Sequence, residues 1–337
     1  MLRVSKPQVS VIVCCHNQGF IHKFVESVKR SFGVTYEIIV VSSDDELSAT
    51  GIPGCTVING PAMPAAKRNM GARIAKADII AFFDDDVEIE SDCLKHLALM
   101  MVGKVGMGFG KLMKADEPHR FDEAGGFLTP TGFIWSRAQQ NLVDDGQYDE
   151  VEQIFSGKSA SCIIEKRLFE KIGGFDEDFG ILGEESCLAW RVWLSGRSVI
   201  FIPRARGIHY FNTKFKPVKD YYTNERVFFN GTRNYITMLI KNLEIPLLFR
   251  ILPIHVTIWV AAGLSMLLRG KFIAGVNILK GLWYVVRNLK LILEKRRKVQ
   301  RNRVRTDDEL WSIIFRSPGR AYYTERFTRY IRSGLHG

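Results

Sequence analysis

The sequence predicts an α/β protein, Rossmann-like, with a mostly parallel central sheet, helices on both of its faces, and a helical membrane-associating region behind it. Three observations predict this. Apolar strand-like runs alternate with helical spacings from residue 8 to 210, an Asp triplet closes one of those runs, and the tail turns apolar and then basic.

The run Gln8 to Asn17 is a strand of the buried type, Phe20 to Phe32 has helical spacing, and Tyr36 to Val41 is a second strand, which makes a βαβ opening. Ala65 to Ala77 predicts a helix carrying Lys67 and Arg68. It leads into the strand Asp78 to Phe83, which ends on Asp84-Asp85-Asp86. Strands alternating with helices put ligands at the carboxyl ends of the strands. From Gly103 to Asp149 the pattern is Gly-rich and irregular, as strands and loops over a site would be. A helix over Lys166 to Ile172 then enters Gly173-Gly174-Phe175-Asp176, and a second helix over Glu184 to Ser195 stops at Gly196. The strand Ser198 to Pro203 follows, with His209 beyond it.

Past this point the chain changes character. Ile251 to Leu268 carries no charged residue, but its length of about 18 is at the lower limit for spanning a bilayer, and Pro253 and His255 interrupt it. Phe272 to Leu293 puts Asn277, Lys280, Arg287 and Lys290 on one helical face and Ile273, Val276, Leu279, Leu282, Val286 and Leu289 on another, the pattern of a helix lying in an interface. The run Lys295-Arg-Arg-Lys298, with Arg301, Arg303 and Arg305, comes next. Such a run is commonly a solvated face or a nucleic-acid patch. Its place beside an apolar hairpin favours anionic lipid, at about 1 kcal/mol per well-placed cation, and no nucleic-acid partner is expected.

The charge is divided accordingly. Residues 246 to 337 hold 18 basic and 5 acidic residues, whereas the first 245 hold 29 and 31. The expected organisation is therefore a sheet domain over 1–212 and a helical region over 213–337, with a hairpin near 246–293 and a basic tail. The six cysteines show neither zinc-site spacing nor disulfide density and read as reduced packing residues. No apolar stretch with a cleavage site opens the chain, so the cytoplasmic face of a membrane is the expected location, held peripherally or by one short inserted hairpin.

Asp84 and Asp86 are two apart at a strand end, so their side chains share one face and can hold Mg²⁺ or Mn²⁺ against a diphosphate. Solvated turns carry such triplets too.

Over residues 8 to 210 the chain resembles the family 2 glycosyltransferases of the GT-A fold. Val9-Ser-Val-Ile-Val-Cys-Cys-His-Asn17 is similar to the opening strand of that family, Lys67-Arg-Asn-Met-Gly71 to its helix near the donor, and Phe83-Asp-Asp-Asp-Val87 to its Asp-x-Asp motif. Gly173-Gly-Phe-Asp-Glu177, followed by Gly183-Glu-Glu185 and Trp190-Arg191, is the most specific match. The resemblance implies an inverting, metal-dependent transfer from a nucleotide-diphosphate sugar. Its residue roles would be Asp84 on the nucleotide sugar with Asp85 in support, Asp86 and His209 at the metal, Glu185 as general base and Glu184 on the acceptor.

It further implies nucleotide contacts from His16, Asn17 and Asp44, and diphosphate contacts from Lys67 and Arg68. With its apolar and basic tail the chain looks like bacterial rhamnosyltransferase-like enzymes of surface polysaccharide synthesis, whose acceptor would be a glycan or lipid-linked glycan.

The sequence departs from the pattern in three places. The usual Pro-x-Tyr-Asn is Cys14-Cys-His-Asn17, and the acidic pair after the second strand is Ser42-Ser43, with Asp44 and Asp45 one register later. The usual Gly-Glu-Asp is Gly-Glu-Glu, one methylene longer, and two glutamates in the first turn of a helix are also favoured by its dipole alone. Transfer to a polyisoprenyl phosphate, nucleotidyl transfer and a non-catalytic basic nucleic-acid or membrane adaptor are the rival readings.

Overall fold

Burial on both faces organises the central sheet of the computed structural model, which describes residues 6–16, 18–138, 142–211, 224–319 and 324. The strands are β1 (Val9–Cys15), β2 (Tyr36–Ser42), β3 (Thr56–Asn59), β4 (Ile79–Asp84), β5 (Val87–Ile89), β6 (Val105–Lys114), β7 (Phe121–Glu123), β8 (Gly126–Leu128), β9 (Ile134–Ser136), β10 (Glu152–Gln153), β11 (Ser161–Glu165) and β12 (Ser198–His209). The helices are α1 (Gln18–Lys29), α2 (Asp45–Thr50), α3 (Pro64–Ile74), α4 (Cys93–Leu99), α5 (Lys166–Lys171), α6 (Glu184–Leu194), α7 (Asn224–Asn242), α8 (Ile245–Leu268), α9 (Phe272–Arg287), α10 (Leu289–Arg301) and α11 (Asp307–Ile314).

The main sheet runs in the order β10-β12-β6-β11-β4-β1-β2-β3. Parallel pairing joins β4, β1, β2 and β3, and also β6 and β12; β11 lies antiparallel between β4 and β6. That inserted strand departs from the expected parallel order, as do β5, antiparallel to the end of β12, and β7, antiparallel to β6. All seven residues of β1 are buried, as a central strand covered on both faces requires. Ile12, Ile39, Val41 and Phe82 belong to one apolar core with α3, α5 and α6. Val11, Val13, Val40 and Phe83 belong to the other with α1 and α4, because successive side chains of a strand point to opposite faces.

β12 runs six residues past the end the sequence predicts. Pro203 lies where its register against β6 shifts between Ile202 and Arg206. A proline at a bulge costs the ladder no bond it could have made, so the strand resumes and delivers His209.

The helical region differs from expectation in three ways. The predicted helix over Phe272 to Leu293 is broken at Asn288 into α9 and α10. Asn277, expected on the polar face, is buried and donates to Ile273 O at 2.9 Å. Its neighbours Ile278, Gly281 and Val285 are buried too, while Ile273, Val276, Leu279, Trp283 and Val286 face outward with Lys280 and Arg287 among them. The exposed face is thus apolar and basic together.

α8 has 24 residues, and an 18-residue window of it has mean hydropathy 1.9 with only 28% buried, so it is long and apolar enough to cross a membrane. The boundary expected at 212/213 lies outside the described residues. Met238 and Leu239 of α7, Leu243 just beyond it, Ile251 of α8, Leu310 and Ile314 of α11 and the following Phe315 share a core with β4 and α6.

Candidate active site

The Asp triplet sits where β4 ends and turns toward β5. Asp84 and Asp86 face one side. Asp85 faces the other and accepts the His16 N–H at 2.6 Å, which ties the end of β1 to the end of β4. The N–H of Tyr210 donates to Asp86 O at 2.9 Å and draws the end of β12 against the triplet. Ligand atoms of Asp84, Asp86 and His209 consequently all lie within 4.8 Å of one another. His209 Nε2 is 3.4 Å from Asp86 Oδ1, both side chains being buried, while Asp84 is one-third exposed and leaves one side open.

Behind His209, its Nδ1–H donates to Asp122 Oδ2 at 2.7 Å, and both oxygens of Asp122 accept from Lys158 Nζ at 2.8 Å. Burial opposes charge on His209, but Asp122 and then Asp86 outweigh it and lift its pKa to about 10. Burial likewise pushes Asp122 upward, yet Lys158 and His209 hold its carboxyl well below the usual carboxylate range. The cluster draws positive charge to Nε2, the nitrogen Asp122 leaves available. Two carboxylates and one imidazole with a carboxylate behind it suit a divalent cation such as Mg²⁺ or Mn²⁺.

Across from the triplet, α6 starts at Gly183, whose φ of 86° follows a left-handed Leu182 at 71°. Its first two residues are Glu184 and Glu185. Arg68 joins them to the triplet: Nη2 is 2.8 Å from Asp84 Oδ1 and Nη1 is 3.3 Å from Glu184 Oε1. Glu184 Oε2 is buried with no hydrogen-bond partner among the described residues. Burial, then the adjacent Glu184, push the Glu185 carboxyl well above the usual carboxylate range, the direction that makes a carboxylate a stronger base.

The basic pair on α3 is placed differently from expectation. Arg68 is buried between Asp84 and Glu184, and burial, which opposes its charge, is outweighed by these acids. Lys67 is wholly buried: its Nζ donates to Cys15 O at 2.5 Å and Ser43 Oγ at 3.2 Å and lies 3.4 Å from His16 Nδ1. Neither presents a free cation to a diphosphate, because the first turns of α3 lay this face on the ends of β1 and β4; they act as struts between those ends. Asp44, expected on the nucleotide, caps α2, its Oδ1 accepting from the N–H of Glu46 at 2.9 Å and of Leu47 at 3.1 Å. His16 is exposed at the mouth of this region. Asn17 lies outside the described residues.

Asp122 and Lys158 escaped the sequence reading. They come from the irregular Gly-rich stretch and from a loop, 87 and 51 positions from His209 in the chain. The only signal was chemical, that a ligating histidine needs an acceptor behind its second nitrogen.

Residues 10–117 match the model of the glycosyl transferase family 2 domain. Polypeptide N-acetylgalactosaminyltransferase 16 of Mus musculus is 26% identical over 231 residues, 62% of this chain and 41% of that protein. Polypeptide N-acetylgalactosaminyltransferase 4 of Caenorhabditis elegans is 25% identical over 157 residues, 44% and 27% of the two chains. The chain thus spans less than half the length of these relatives. Among solved structures, GalNAc-T7 with UDP, GalNAc and Mn²⁺ superposes with a TM-score of 0.52 at 14% identity, covering 70% of this chain and 51% of that one. Residues 1–349 of S. aureus TarS give 0.50 at 15% identity, covering 88% of each. These likenesses establish a GT-A fold with a helical region behind it.

Proposed function

We propose that this chain is an inverting, metal-dependent glycosyltransferase that moves a sugar from a nucleotide-diphosphate donor to a hydroxyl of a glycan. The glycan is lipid-linked and belongs to cell-surface polysaccharide synthesis, in the manner of the rhamnosyltransferase-like enzymes. The observation that carries the reading is the meeting of Asp84, Asp86 and His209 within 4.8 Å, at the carboxyl end of a parallel strand and facing a helix that begins with Glu184 and Glu185. A divalent cation held by Asp86, His209 and Asp84 would neutralise the charge that develops on the leaving diphosphate. His16 contacts the nucleotide, and Lys67, by bonding Cys15 O and Ser43 Oγ, fixes the walls of its pocket. Glu184 orients the acceptor. Glu185 takes the proton from the acceptor hydroxyl, whose oxygen bonds to the anomeric carbon as the bond from that carbon to the diphosphate breaks; the displacement inverts the configuration.

The exposed face built by Phe249, Ile254 and Leu264 of α8 and Ile273, Val276, Trp283 and Val286 of α9, with Lys280 and Arg287 among them, supports docking on anionic lipid at the cytoplasmic face. The nucleic-acid adaptor reading loses ground, since Lys295, Arg296 and Arg303 of the basic run are engaged within the protein.

Calorimetric titration with UDP, dTDP, GDP and CDP, with and without Mn²⁺, tests the donor site on wild type and Asp86→Ala. Metal-dependent binding of one nucleotide, lost in the variant, is expected; binding of none overturns the reading. The product anomer, read by NMR, tests inversion. Near-full activity of Glu185→Gln would instead select a phosphate acceptor, which needs little help from a base.

A further inference from the structure

The two residues assigned to acceptor and base follow directly on a loop, Asp176 to Gly183, that the C-terminal helices grip. Asn234 of α7 is almost fully buried, and its amide nitrogen donates to Phe179 O at 2.9 Å, Ile181 O at 2.8 Å and Leu182 O at 2.8 Å. Two N–H groups serve three carbonyls, so one bond is shared. The amide is oriented from behind: Arg233 Nε–H donates to Asn234 Oδ1 at 2.9 Å, which leaves the nitrogen facing the loop. The Arg233 guanidinium also donates to Asp178 O at 2.6 Å and Phe179 O at 2.9 Å. A second grip holds the start of the loop, where Asp176 pairs with Lys241 of α7 and Lys295 of α10.

These bonds bear on a turn that does not hold itself. Leu182 is the only non-glycine with positive φ among the described residues, at 71°. A left-handed backbone at a side chain with a Cβ is strained and persists only where the surroundings impose it. The imposed turn sets the direction from which α6 begins, and Glu184 and Glu185 are its first residues.

The same grip connects to the membrane-facing helices. Arg233 lies over the rings of Phe229 and Tyr284, each at 5.0 Å, and Tyr284 belongs to α9. Gly281 of α9 packs so closely on α7 that a Cβ there would lie 2.8 Å from Thr232 Cβ and 2.9 Å from Phe229 O. Trp283, two residues on, faces outward from α9.

We propose that Asn234 is a positioning residue for the transfer reaction: its amide, oriented by Arg233 and backed by α9, imposes the turn at Leu182–Gly183 and thereby aims Glu184 and Glu185 at the acceptor. The helical region is then part of the acceptor half of the site as well as an anchor. This rests on the assignment of Glu185 as base.

The test compares wild type, Asn234→Ala and Lys295→Ala in nucleotide binding, steady-state kinetics and amide hydrogen exchange. The expected result for Asn234→Ala is metal-dependent nucleotide affinity within about twofold of wild type, since Asp84, Asp86 and His209 are untouched. With it come kcat lower by at least tenfold, a donor KM little changed, and faster exchange confined to residues 176–187. Exchange over 79–90 stays as in wild type. If Asn234→Ala does not fold, Lys295→Ala, which removes one partly exposed ion-pair partner of Asp176, is read by the same measurements, with a smaller loss of kcat. The proposal is overturned if kcat and the exchange of 176–187 are unchanged, or if nucleotide affinity falls in step with kcat, which is the mark of general destabilisation. A wild type that binds no nucleotide refutes the glycosyltransferase reading instead, while exchange at 176–187 still reports on the grip.

Discussion

Replacing Asp122 with Asn should weaken Mn²⁺ binding while leaving the protein folded. The carboxylate accepts from His209 Nδ1 at 2.7 Å, and both side chains are nearly buried. It therefore fixes which nitrogen of the ring faces Asp86 and makes that nitrogen a better donor. Asn at this position keeps an acceptor of the same shape but removes the negative charge. Groups that support a ligating histidine in this way are worth about 10- to 100-fold in metal affinity, or roughly 1.4–2.7 kcal/mol. The other partner, Lys158, has 37% of its side chain exposed and recovers hydration, so its lost pair adds less than about 1 kcal/mol. Calorimetric titration with Mn²⁺ in the absence of nucleotide gives the number, and the thermal midpoint in EDTA shows that the fold is retained. A dissociation constant for Asp122→Asn within twofold of wild type, with the fold intact, would refute the assignment of His209 as a ligand supported from behind. Lys158→Met, which leaves the His209–Asp122 bond in place, serves as the control and should change the constant far less.

Three further outcomes follow from the geometry. Arg68→Met leaves Glu184 buried without its cation and takes one from Asp84; the urea midpoint should fall by the equivalent of about 3–5 kcal/mol. Gly71→Ala puts a Cβ 2.5 Å from Ile12 Cγ2 and 3.2 Å from Val41 Cγ2, and overpacking of this kind should cost about 1–3 kcal/mol in the same assay. Burial opposes ionisation of Asp176, but Lys241 and Lys295 hold its carboxyl well below the usual carboxylate range. The stability from this depressed pKa is complete above an unfolded value of about 4 and is lost as pH falls below it, so Asp176→Asn should flatten the acid limb of a stability–pH curve. A curve parallel to wild type below that pH would contradict the pairing.

How much of this was legible in the sequence depended on whether one residue type could do the job alone. The strand at Val9 to Cys15 was legible because the run is short and rich in β-branched residues, which separates it from a buried helix such as Glu184–Leu194. The pairing of Asp84 with Asp86 was legible because alternation along a strand dictates it. The antiparallel insertion of β11 was not, since its five residues look alike in either direction. Lys67 and Arg68 read as a basic donor face, yet spacing on a helix does not say which side a helix turns to the sheet. The sign of a charge also says nothing of whether it meets a ligand or an internal acid. Asp122 and Asn234 were invisible for a further reason: each acts on a segment more than fifty residues away, and no local pattern records the partner.

The basic tail shows the same limit with consequences for the membrane reading. Its place beside an apolar hairpin favours lipid for the run 295–305 as a whole, without separating one cation from another. In the structure Arg296 donates to the carbonyls of Ile240 at the end of α7 and Leu243 just beyond it, Arg303 pairs with Asp307 at 3.0 Å, and Lys295 pairs with Asp176 and Asp178. Arg296 thus satisfies carbonyls that lack intrahelical donors, Arg303 ties the end of α10 to the start of α11, and Lys295 ties α10 to the loop before α6. Lys280, Arg287 and Lys290 are exposed beside Leu279, Trp283, Val286 and Leu289, so they are cations that a membrane docked on this apolar face would meet. At about 1 kcal/mol each, replacing all three with Gln should lower the partition onto vesicles containing anionic lipid by roughly 100-fold and leave the thermal midpoint unchanged. Replacing Lys295, Arg296 and Arg303 should do the reverse, lowering the midpoint with little change in the vesicle affinity of the folded fraction. If both triples weaken vesicle binding equally at constant stability, the division of the tail into structural and lipid-facing cations is wrong.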